Sequence, residues 1–346
     1  MQKLPEIFNR FKDDIEKEMQ SIISSGSLPL YDMLRYHMGW IDEKGNSGDF
    51  GKGKFLRATL CILAYISTLK EGEEEIGSTV MPLAGSIELI HNFSLIHDDI
   101  QDNDIQRRHK PTLWYIWGKP QAINAGTTMK ILANLAITRL ENYGISCEKQ
   151  LKVFRIINES CLKMLEGQYL DIEFEDKSEV SIDEYITMIE RKTASLIEGA
   201  ILIGAALNLE KDGLERLRKF GNLLGIAFQI RDDILGIWGS QDKTGKPHAS
   251  DILKKKKSFP IVYTLNNAPE KMKKNLLKVY ESKRINENQM LTVLGYLEDV
   301  EAKKFCEEKC RYYYKLAVNE IKSLPVLKKY LQSYYEISDF LLIRDF

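Results

Sequence analysis

Residues 90–104 read IHNFSLIHDDIQDND, a largely apolar helical pattern that ends in four aspartates within seven residues. Asp98 and Asp102 are four positions apart, so on a helix they project from one face and repel each other unless a cation lies between them. Such oxygen ligands suit Mg²⁺, which one or two carboxylates can hold while substrate phosphates complete its coordination. Taken alone, the acids could also form a solvated helix end.

Residues 221–236, GNLLGIAFQIRDDILG, repeat this arrangement, with Asp232 and Asp233 near the end of a second apolar helical pattern. Two such helices facing one another would hold a cluster of divalent ions. Basic side chains accompany both sets of acids, namely Arg107, Arg108, Lys192, Lys246 and the lysine run at residues 254–257. Acids beside bases predict a site for phosphates that are bridged by Mg²⁺.

Apolar residues recur at helical spacing along almost the whole chain, and strand-like alternation is nearly absent. We therefore predict about ten or more helices in a single all-α domain over residues 1–346. Three central segments, 81–96, 199–207 and 222–237, are apolar on most faces, as expected of helices that are surrounded by other helices. The predicted fold is a helical bundle.

The composition excludes several classes of protein. With 44% hydrophobic and 29% charged residues and 9 prolines, the chain is neither collagen-like nor disordered. Its 49 basic and 50 acidic residues create no overall field for nucleic acid or an acidic membrane, and the run at 254–257 lacks aromatic stacking partners. No apolar run reaches the roughly 20 residues of a membrane span, and the five cysteines form no CxxC pair. We expect a cytoplasmic protein without a nucleic-acid partner.

A second phosphate site is indicated by residues 48–55, GDFGKGKF. This stretch fails as a P-loop, because Phe55 stands where a Ser or Thr must meet Mg²⁺ and no strand precedes it. Lys54 and Arg57 can still present two cations to a phosphate at a helix start. Two phosphate sites would mean two substrates.

These segments resemble those of the trans-isoprenyl diphosphate synthases, the prenyltransferases that include farnesyl and geranylgeranyl diphosphate synthases. The resemblance covers most of the chain and rests on six blocks in order: HNFSLIHDDIQDNDIQRRHKPTLW (91–114), AINAG (122–126), EGQYLD (166–171), KTASL (192–196), FQIRDDILG (228–236), and TGKP with SD and the lysine run (244–257). It implies the all-helical isoprenoid synthase fold, a central apolar cavity with metals at its mouth, and a homodimer.

The resemblance also implies roles for individual residues. Asp98 and Asp102 would bind two Mg²⁺ ions and Asp232 a third, with Mn²⁺ able to substitute, and Asp99 and Asp233 would support them. Residues matched to the allylic diphosphate are Arg107, Lys192, Gln229 and Lys246, with Thr193 nearby, and Lys257 of the lysine run is expected to bind substrate. Residues matched to isopentenyl diphosphate are Lys54, Arg57, His91 and Arg108.

The implied reaction breaks the allylic carbon–oxygen bond, joins the cation to the isopentenyl double bond and releases a proton to the departed diphosphate. Product length would depend on Phe93, which lies five residues before Asp98 and so about 7.5 Å down the helix. Ser94, one turn below Asp98, is too small to block a chain. The pattern favours geranylgeranyl diphosphate as product, with farnesyl diphosphate next, although Phe93 could simply pack in the core.

Three positions depart from the family pattern: Phe55 replaces an arginine, His109 a glycine after the arginine pair, and Gly236 a frequent aspartate. Two alternatives therefore stay open. A class I terpene cyclase would need no isopentenyl site, and its second metal motif is not matched by RDDILGIWG. A non-catalytic regulatory subunit of a heteromeric synthase would show no turnover by the purified chain.

Overall fold

In this computed structural model, residues 5–24, 26–51, 53–73, 77–239 and 249–343 are described. Lys246, which was predicted to bind the allylic diphosphate, lies outside the described residues. The predicted all-helical architecture is confirmed, because the described strands are limited to one short hairpin and one isolated bridge between Ile41 and Ser47. No helix within the described ranges is both long and apolar enough to cross a bilayer.

The α-helices follow one another along the chain, and the longest described connection, between α3 and α4, contains Gly39 and the bridge between Ile41 and Ser47. The first ten α-helices are α1 (Glu6–Arg10), α2 (Lys12–Ile23), α3 (Pro29–His37), α4 (Leu56–Ser67), α5 (Met81–Gln101), α6 (Leu113–Thr138), α7 (Cys147–Asp176), α8 (Ile182–Ile189), α9 (Ser195–Ala205) and α10 (Lys211–Trp238). The later ones are α11 (Ser250–Leu253), α12 (Phe259–Asn267), α13 (Glu270–Glu281), α14 (Glu287–Asp299), α15 (Ala302–Ile321) and α16 (Leu331–Ile343). Short 3₁₀ turns cover Gly77–Val80, Arg139–Tyr143 and Lys328–Tyr330, and one π-helical turn covers Glu190–Ala194.

The centre of the molecule is built from the most apolar helices, as the sequence predicted. All of α9 is buried, and α4 and most of α5 are buried around it. Small residues permit this packing: a Cβ added at Gly204 of α9 would stand 2.1 Å from the carbonyl oxygen of Cys61 in α4. Helices that are buried on every face need such close contacts, because they present no polar side to water.

The strand pair β1 (Gln106–Arg107) and β2 (Lys110–Pro111) forms a tight hairpin directly after α5. Its two turn residues, Arg108 and His109, both have positive φ values, 51° and 62°. A two-residue hairpin loop requires this backbone, which glycine and asparagine adopt more readily than other residues. The hairpin returns two arginines to the end of α5, where the acids lie.

Candidate functional site

The acids of α5 occupy the end of that helix. Asp98 lies in its last turn, and the backbone N–H of Asp102 donates to the Asp98 carbonyl oxygen, 2.8 Å away. Negative charge is unfavourable at a helix C-terminus, where the helix dipole is already negative. Burial and then the charge of Asp98 raise the pKa of Asp102 to about 7. The negative charge of this cluster therefore favours the binding of cations.

Arg107 of the hairpin supplies one positive charge to these acids. Its guanidinium donates to Asp99 at 2.7 Å and lies 3.6 Å from Asp98. Asp99 is only 3% exposed, and this burial raises its pKa to about 6 although Arg107 opposes the shift. Arg107 thus fixes the acids of α5 relative to the hairpin.

Lys192 supplies a second positive charge from the π-helical turn before α9. Its ammonium lies 3.3 Å from Asp98 and also forms an ion pair with Asp171 of α7. The close approach depends on Gly167, where an added Cβ would stand 2.1 Å from the backbone nitrogen of Lys192. The ends of α5 and α7 therefore meet at the π-helical turn, a distortion that is frequent at functional sites.

The second acidic pair lies near the end of α10, and its two members differ in environment. Asp232 is partly buried, whereas Asp233 is 1% exposed. Gln229, one turn earlier, donates to Asp233 at 2.9 Å, and its amide oxygen accepts from the hydroxyl of Thr193 at 2.7 Å. This chain of hydrogen bonds joins α10 to the π-helical turn that carries Lys192.

The lysines of the run at residues 254–257 have different partners. Lys256 faces the charges of Asp251, Asp233, Asp171 and Asp232; burial alone would lower its pKa, but these acids hold it well above the ordinary value.

Lys257, which was predicted to bind substrate, donates to the carbonyl oxygens of Phe174 at 2.8 Å, Glu175 at 3.0 Å and Lys177. Lys254 pairs with Asp104 at 2.6 Å and so joins the segment after α11 to the segment after α5.

Three of the residues matched to isopentenyl diphosphate, Arg57, His91 and Arg108, form a second basic group, on which Arg107 also acts. An added Cβ at Gly53 would stand 3.2 Å from the guanidinium of Arg108, and Lys54 places its ammonium 5.7 Å from the ring centre of Phe340. Burial and then the charges of Arg57 and Arg108 hold the pKa of His91 well below its usual value. His91 is therefore neutral and can donate one ring N–H to an anion.

The donor set fits the predicted metal. The acids at the end of α5 offer oxygen ligands that are crowded together, and the raised pKa values of Asp99 and Asp102 result from burial and from neighbouring negative charge, which a divalent cation would relieve. Over the described part of the chain, no three His, Cys, Asp or Glu side chains form a metal site by themselves. Mg²⁺ does not require one, because water and substrate phosphates usually complete its coordination shell.

The polyprenyl synthetase family model matches residues 43–297, which contain both acidic helices and both basic groups. The chain belongs to this family. Its relatives among polyprenyl synthetases include the short chain isoprenyl diphosphate synthase of Methanocaldococcus jannaschii, 36% identical over 72% of this chain and 73% of that protein. The geranylgeranyl diphosphate synthase of Saccharolobus solfataricus is 31% identical over 92% of this chain and 94% of its own length.

Solved polyprenyl synthetase structures have the same fold. The polyprenyl synthetase of Streptomyces coelicolor A3(2) superposes with a TM-score of 0.91 at 29% identity and covers 99% of this chain and 100% of its own. The geranylgeranyl pyrophosphate synthetase of Pyrococcus horikoshii Ot3 gives 0.85 at 31% identity, with 98% of both chains covered. The predicted single-domain isoprenoid synthase fold is confirmed, whereas the central apolar cavity stays a prediction.

The three departures from the polyprenyl synthetase pattern have physical consequences. Phe55 is buried and left-handed, with φ of 53°, directly before α4. His109 occupies a positive-φ turn position, which accounts for the usual glycine. At Gly236, an added Cβ would stand 2.1 Å from a carboxylate oxygen of Asp251, so Asp251 fills the space that a side chain at 236 would need.

The two residues predicted to set product length lie on α5 below the acids. Phe93 is 5% exposed and meets the ring of His97 edge-on at a centroid distance of 4.8 Å. The hydroxyl of Ser94 donates to the carbonyl oxygen of His91 at 2.7 Å. Their role in chain length stays a prediction.

Several residues of the site were missed from the sequence. Asp171 lies in the quoted block EGQYLD and Lys256 in the quoted lysine run, so both had a signal but received no role. Tyr185, whose hydroxyl donates to Asp233, had none, because its partner is 48 residues away in the chain.

Proposed function

We propose that this polyprenyl synthetase is a magnesium-dependent prenyltransferase that condenses isopentenyl diphosphate with an allylic diphosphate into a short-to-medium trans-prenyl diphosphate. The observation that carries the proposal is a chain of charges from α5 to α10: Lys192 pairs with Asp98 and Asp171, and Lys256 faces Asp171 together with Asp232 and Asp233. Arg107 adds a further positive charge at the acids of α5. A diphosphate that brings divalent ions would bind the acids through the metals and the bases directly.

In the proposed reaction, the allylic carbon–oxygen bond breaks and its electron pair leaves with the diphosphate. Bound Mg²⁺ would supply further positive charge to that leaving group. Arg107, Lys192 and Lys256 stabilise the same developing charge, because they are held in place before the reaction starts. Since that stabilisation grows with the leaving group's charge, these three residues would mainly increase kcat.

The second basic group would hold isopentenyl diphosphate. Lys54, Arg57 and Arg108 supply positive charge, and His91 is neutral beside them. The isopentenyl double bond attacks the allylic cation, a carbon–carbon bond forms, and a proton leaves to the released diphosphate. The nucleophile in this reaction is the isopentenyl double bond, so no side chain has to act as one.

The test is an incubation of the purified chain with Mg²⁺, isopentenyl diphosphate and, separately, dimethylallyl, geranyl and farnesyl diphosphates. We expect Mg²⁺-dependent chain elongation in the mass spectrum, lost in Asp98→Ala and retained in the exposed control Asp212→Ala. A cyclic hydrocarbon from one primer would indicate the terpene cyclase instead. No turnover with any primer would indicate the regulatory subunit and contradict the proposal.

For the product we propose geranylgeranyl diphosphate, with Phe93 as the residue that stops elongation. The buried ring of Phe93 lies on the helix that carries Asp98, below the site of reaction. Phe93→Ala is expected to shift the product to longer chains, and Ser94→Ala is expected to leave the length unchanged. A wild-type product spectrum from Phe93→Ala would contradict this role.

We further propose a homodimer that is formed through α6 and α7. These neighbouring helices expose large apolar side chains that would be unfavourable in water as a continuous surface. The exposed members are Ile123, Ile131, Leu135, Leu151, Phe154, Leu162, Leu165, Tyr169 and Ile172. On α7 they are three or four residues apart except for one interval of eight, about two turns, and so form one stripe.

The test of the dimer is the molar mass in solution by light scattering. Leu165→Glu places a charge in the stripe and is expected to give monomers. Leu291→Glu, on an equally helical and exposed position of α14, is the matched control and should leave the mass unchanged. A monomeric wild type would contradict the proposal.

We also infer a reducing, cytoplasmic location. No disulfide joins any two of the five cysteines, all of which the structure describes, and Cys147 is the exposed one among them. Thiol labelling of the protein in intact and lysed cells would test this, since an oxidising compartment would leave Cys147 modified before lysis.

A further inference from the structure

The carboxylate of Asp233 is held by three donors from three different elements. The Tyr185 hydroxyl of α8 donates to Oδ2, the Phe259 backbone N–H at the start of α12 donates to the same oxygen at 3.3 Å, and Gln229 donates to Oδ1. Asp233 is 1% exposed, so solvent does not replace a lost partner. Its orientation is therefore set by these donors and by the charge of Lys256.

Tyr185 is itself fixed. It is 1% exposed, and its ring stacks on the ring of Phe259 with a centroid distance of 5.4 Å and an interplanar angle of 23°. The phenol therefore has one accessible rotamer, with its hydroxyl directed at Asp233. Nothing in the proposed reaction uses this hydroxyl directly, and Tyr185 lies outside the two acidic helices.

Loss of the hydroxyl would change more than one hydrogen bond. Oδ2 would keep only the long bond from the Phe259 N–H, and the positive charge of Lys256 would then pull the carboxylate from its place. The side-chain N–H of Gln229 would lose its alignment with the Asp233 oxygen that accepts from it. The same Gln229 side chain also accepts a hydrogen bond from Thr193, which is next to Lys192. Asp232 directly precedes Asp233 on α10, so a shift of the helix backbone at Asp233 would also move Asp232.

We propose that Tyr185 is a positioning residue: its hydroxyl fixes Asp233 and thereby the orientation of Asp232 and Gln229 towards a magnesium diphosphate. This inference rests on the proposed function. It assigns to α8 a part in metal and diphosphate binding that neither acidic motif reveals.

Tyr185→Phe keeps the stacked ring and removes only the hydroxyl. The matched control is Tyr334→Phe, because Tyr334 is also 1% exposed, meets Phe220 edge-on and bonds its hydroxyl to Ser67 at 3.0 Å, far along the chain from the acids. Both changes remove one buried hydroxyl hydrogen bond and should lower thermal stability to a similar degree. They differ in the partner of the lost hydroxyl, which is Asp233 for Tyr185 and Ser67 for Tyr334.

The decisive readout is the rise in melting temperature that Mg²⁺ causes in the presence of inorganic diphosphate, without any turnover. We expect Tyr185→Phe to need about tenfold more Mg²⁺ for half of that rise, the size expected for one hydrogen bond to a charged group. Tyr334→Phe should need the wild-type concentration. In turnover, Tyr185→Phe should lower kcat about tenfold with an unchanged KM for isopentenyl diphosphate.

A wild-type Mg²⁺ requirement in Tyr185→Phe, or the same change in both tyrosine variants, would overturn the inference. If Tyr185→Phe melts too low to assay, Asp233→Asn serves in its place and must raise the Mg²⁺ requirement at least as much. An unchanged requirement there also overturns it. Wild-type protein that fails to condense its substrates would remove the proposed function, whereas active wild type with an unaffected Tyr185→Phe removes only this inference.

Discussion

Two adjacent lysines, Lys256 and Lys257, are expected to respond very differently to the same substitution. Lys256 faces four acids of the site, whereas Lys257 binds the backbone carbonyls of Phe174, Glu175 and Lys177 near the end of α7. Lys→Met at either position removes the charge and keeps most of the apolar stem. The pair is therefore a test of where the positive charge is needed.

Lys256→Met leaves its acids without their common counter-ion. Breaking a buried charge pair costs about 3–5 kcal/mol, and we take about 3 kcal/mol because Lys256 keeps some solvent contact. An unfolding entropy of about 2.1 cal/mol/K per residue then lowers the melting temperature by roughly 4 °C. Lys257→Met loses hydrogen bonds to carbonyls that can reach water, about 1 kcal/mol and so between 1 and 2 °C.

The effect on turnover should separate the two lysines further. Removal of one group that stabilises a leaving diphosphate lowers kcat by about 100-fold, which is expected for Lys256→Met. Lys257→Met should stay within about threefold of wild type, because its ammonium is directed at α7. Calorimetry and initial rates with saturating substrates measure both quantities. Equal losses of kcat, or a larger loss in Lys257→Met, would refute this account of the basic run.

Three further outcomes are expected. Gly236→Ala should lower the free energy of unfolding in chemical denaturation by about 1–3 kcal/mol, because the added Cβ would meet the carboxylate of Asp251. The control Gly295→Ala, which has open space around it, should raise the free energy of unfolding by about 0.5–1 kcal/mol. Equal effects of the two changes would contradict the close contact between Gly236 and Asp251. His109→Gly should raise the free energy of unfolding by about 0.5–1 kcal/mol and His109→Ala should not, because only glycine relieves the positive φ. The pKa of His91 is lowered by burial and by Arg57. Below pH 6.5 the unfolded chain therefore binds a proton at His91 that the folded chain does not bind, and the free energy of unfolding decreases as the pH is lowered. His91→Gln should flatten that fall by up to about 1.4 kcal/mol per pH unit; an unchanged slope would exclude a neutral His91.

The fold class was predictable because helical periodicity is local and is repeated in every segment. Helices such as α9 and α10 appear where apolar residues recur on most faces, and burial follows from that pattern. The hairpin after α5 was not predicted, since its strands contain only two residues each. Such a short hairpin is defined by its turn, and Arg108 and His109 are not typical residues for that turn.

The candidate site was predictable to the extent that acids stood out in apolar helices. Asp98, Asp102 and Asp232 have that signal, and the structure brings their segments together through Lys192 and Lys256. Which lysine of a run faces the acids could not be predicted, because it depends on the backbone. Lys255 has a φ of 58°, and this left-handed residue turns its two successors to opposite surroundings.

Long-range partners were the part that the sequence could not supply. Tyr185 and Asp233, or Gly236 and Asp251, have no spacing that marks them as neighbours, and their contacts arise only when α8 and α11 pack against α10. In the sequence, Gly236 stood out only as the replacement of a frequent aspartate. In the structure it is the space in which a neighbouring acid stands.

In the proposed function, the acidic ends of α5 and α10 hold one diphosphate through divalent ions. The most direct test is a crystal structure with Mn²⁺ and an allylic thiolodiphosphate, which does not ionise, using the anomalous signal of Mn²⁺. We expect Mn²⁺ peaks at Asp98, Asp102 and Asp232, with the diphosphate between them and against Lys192 and Lys256. Mn²⁺ or diphosphate bound elsewhere, with these carboxylates unchanged, would contradict it.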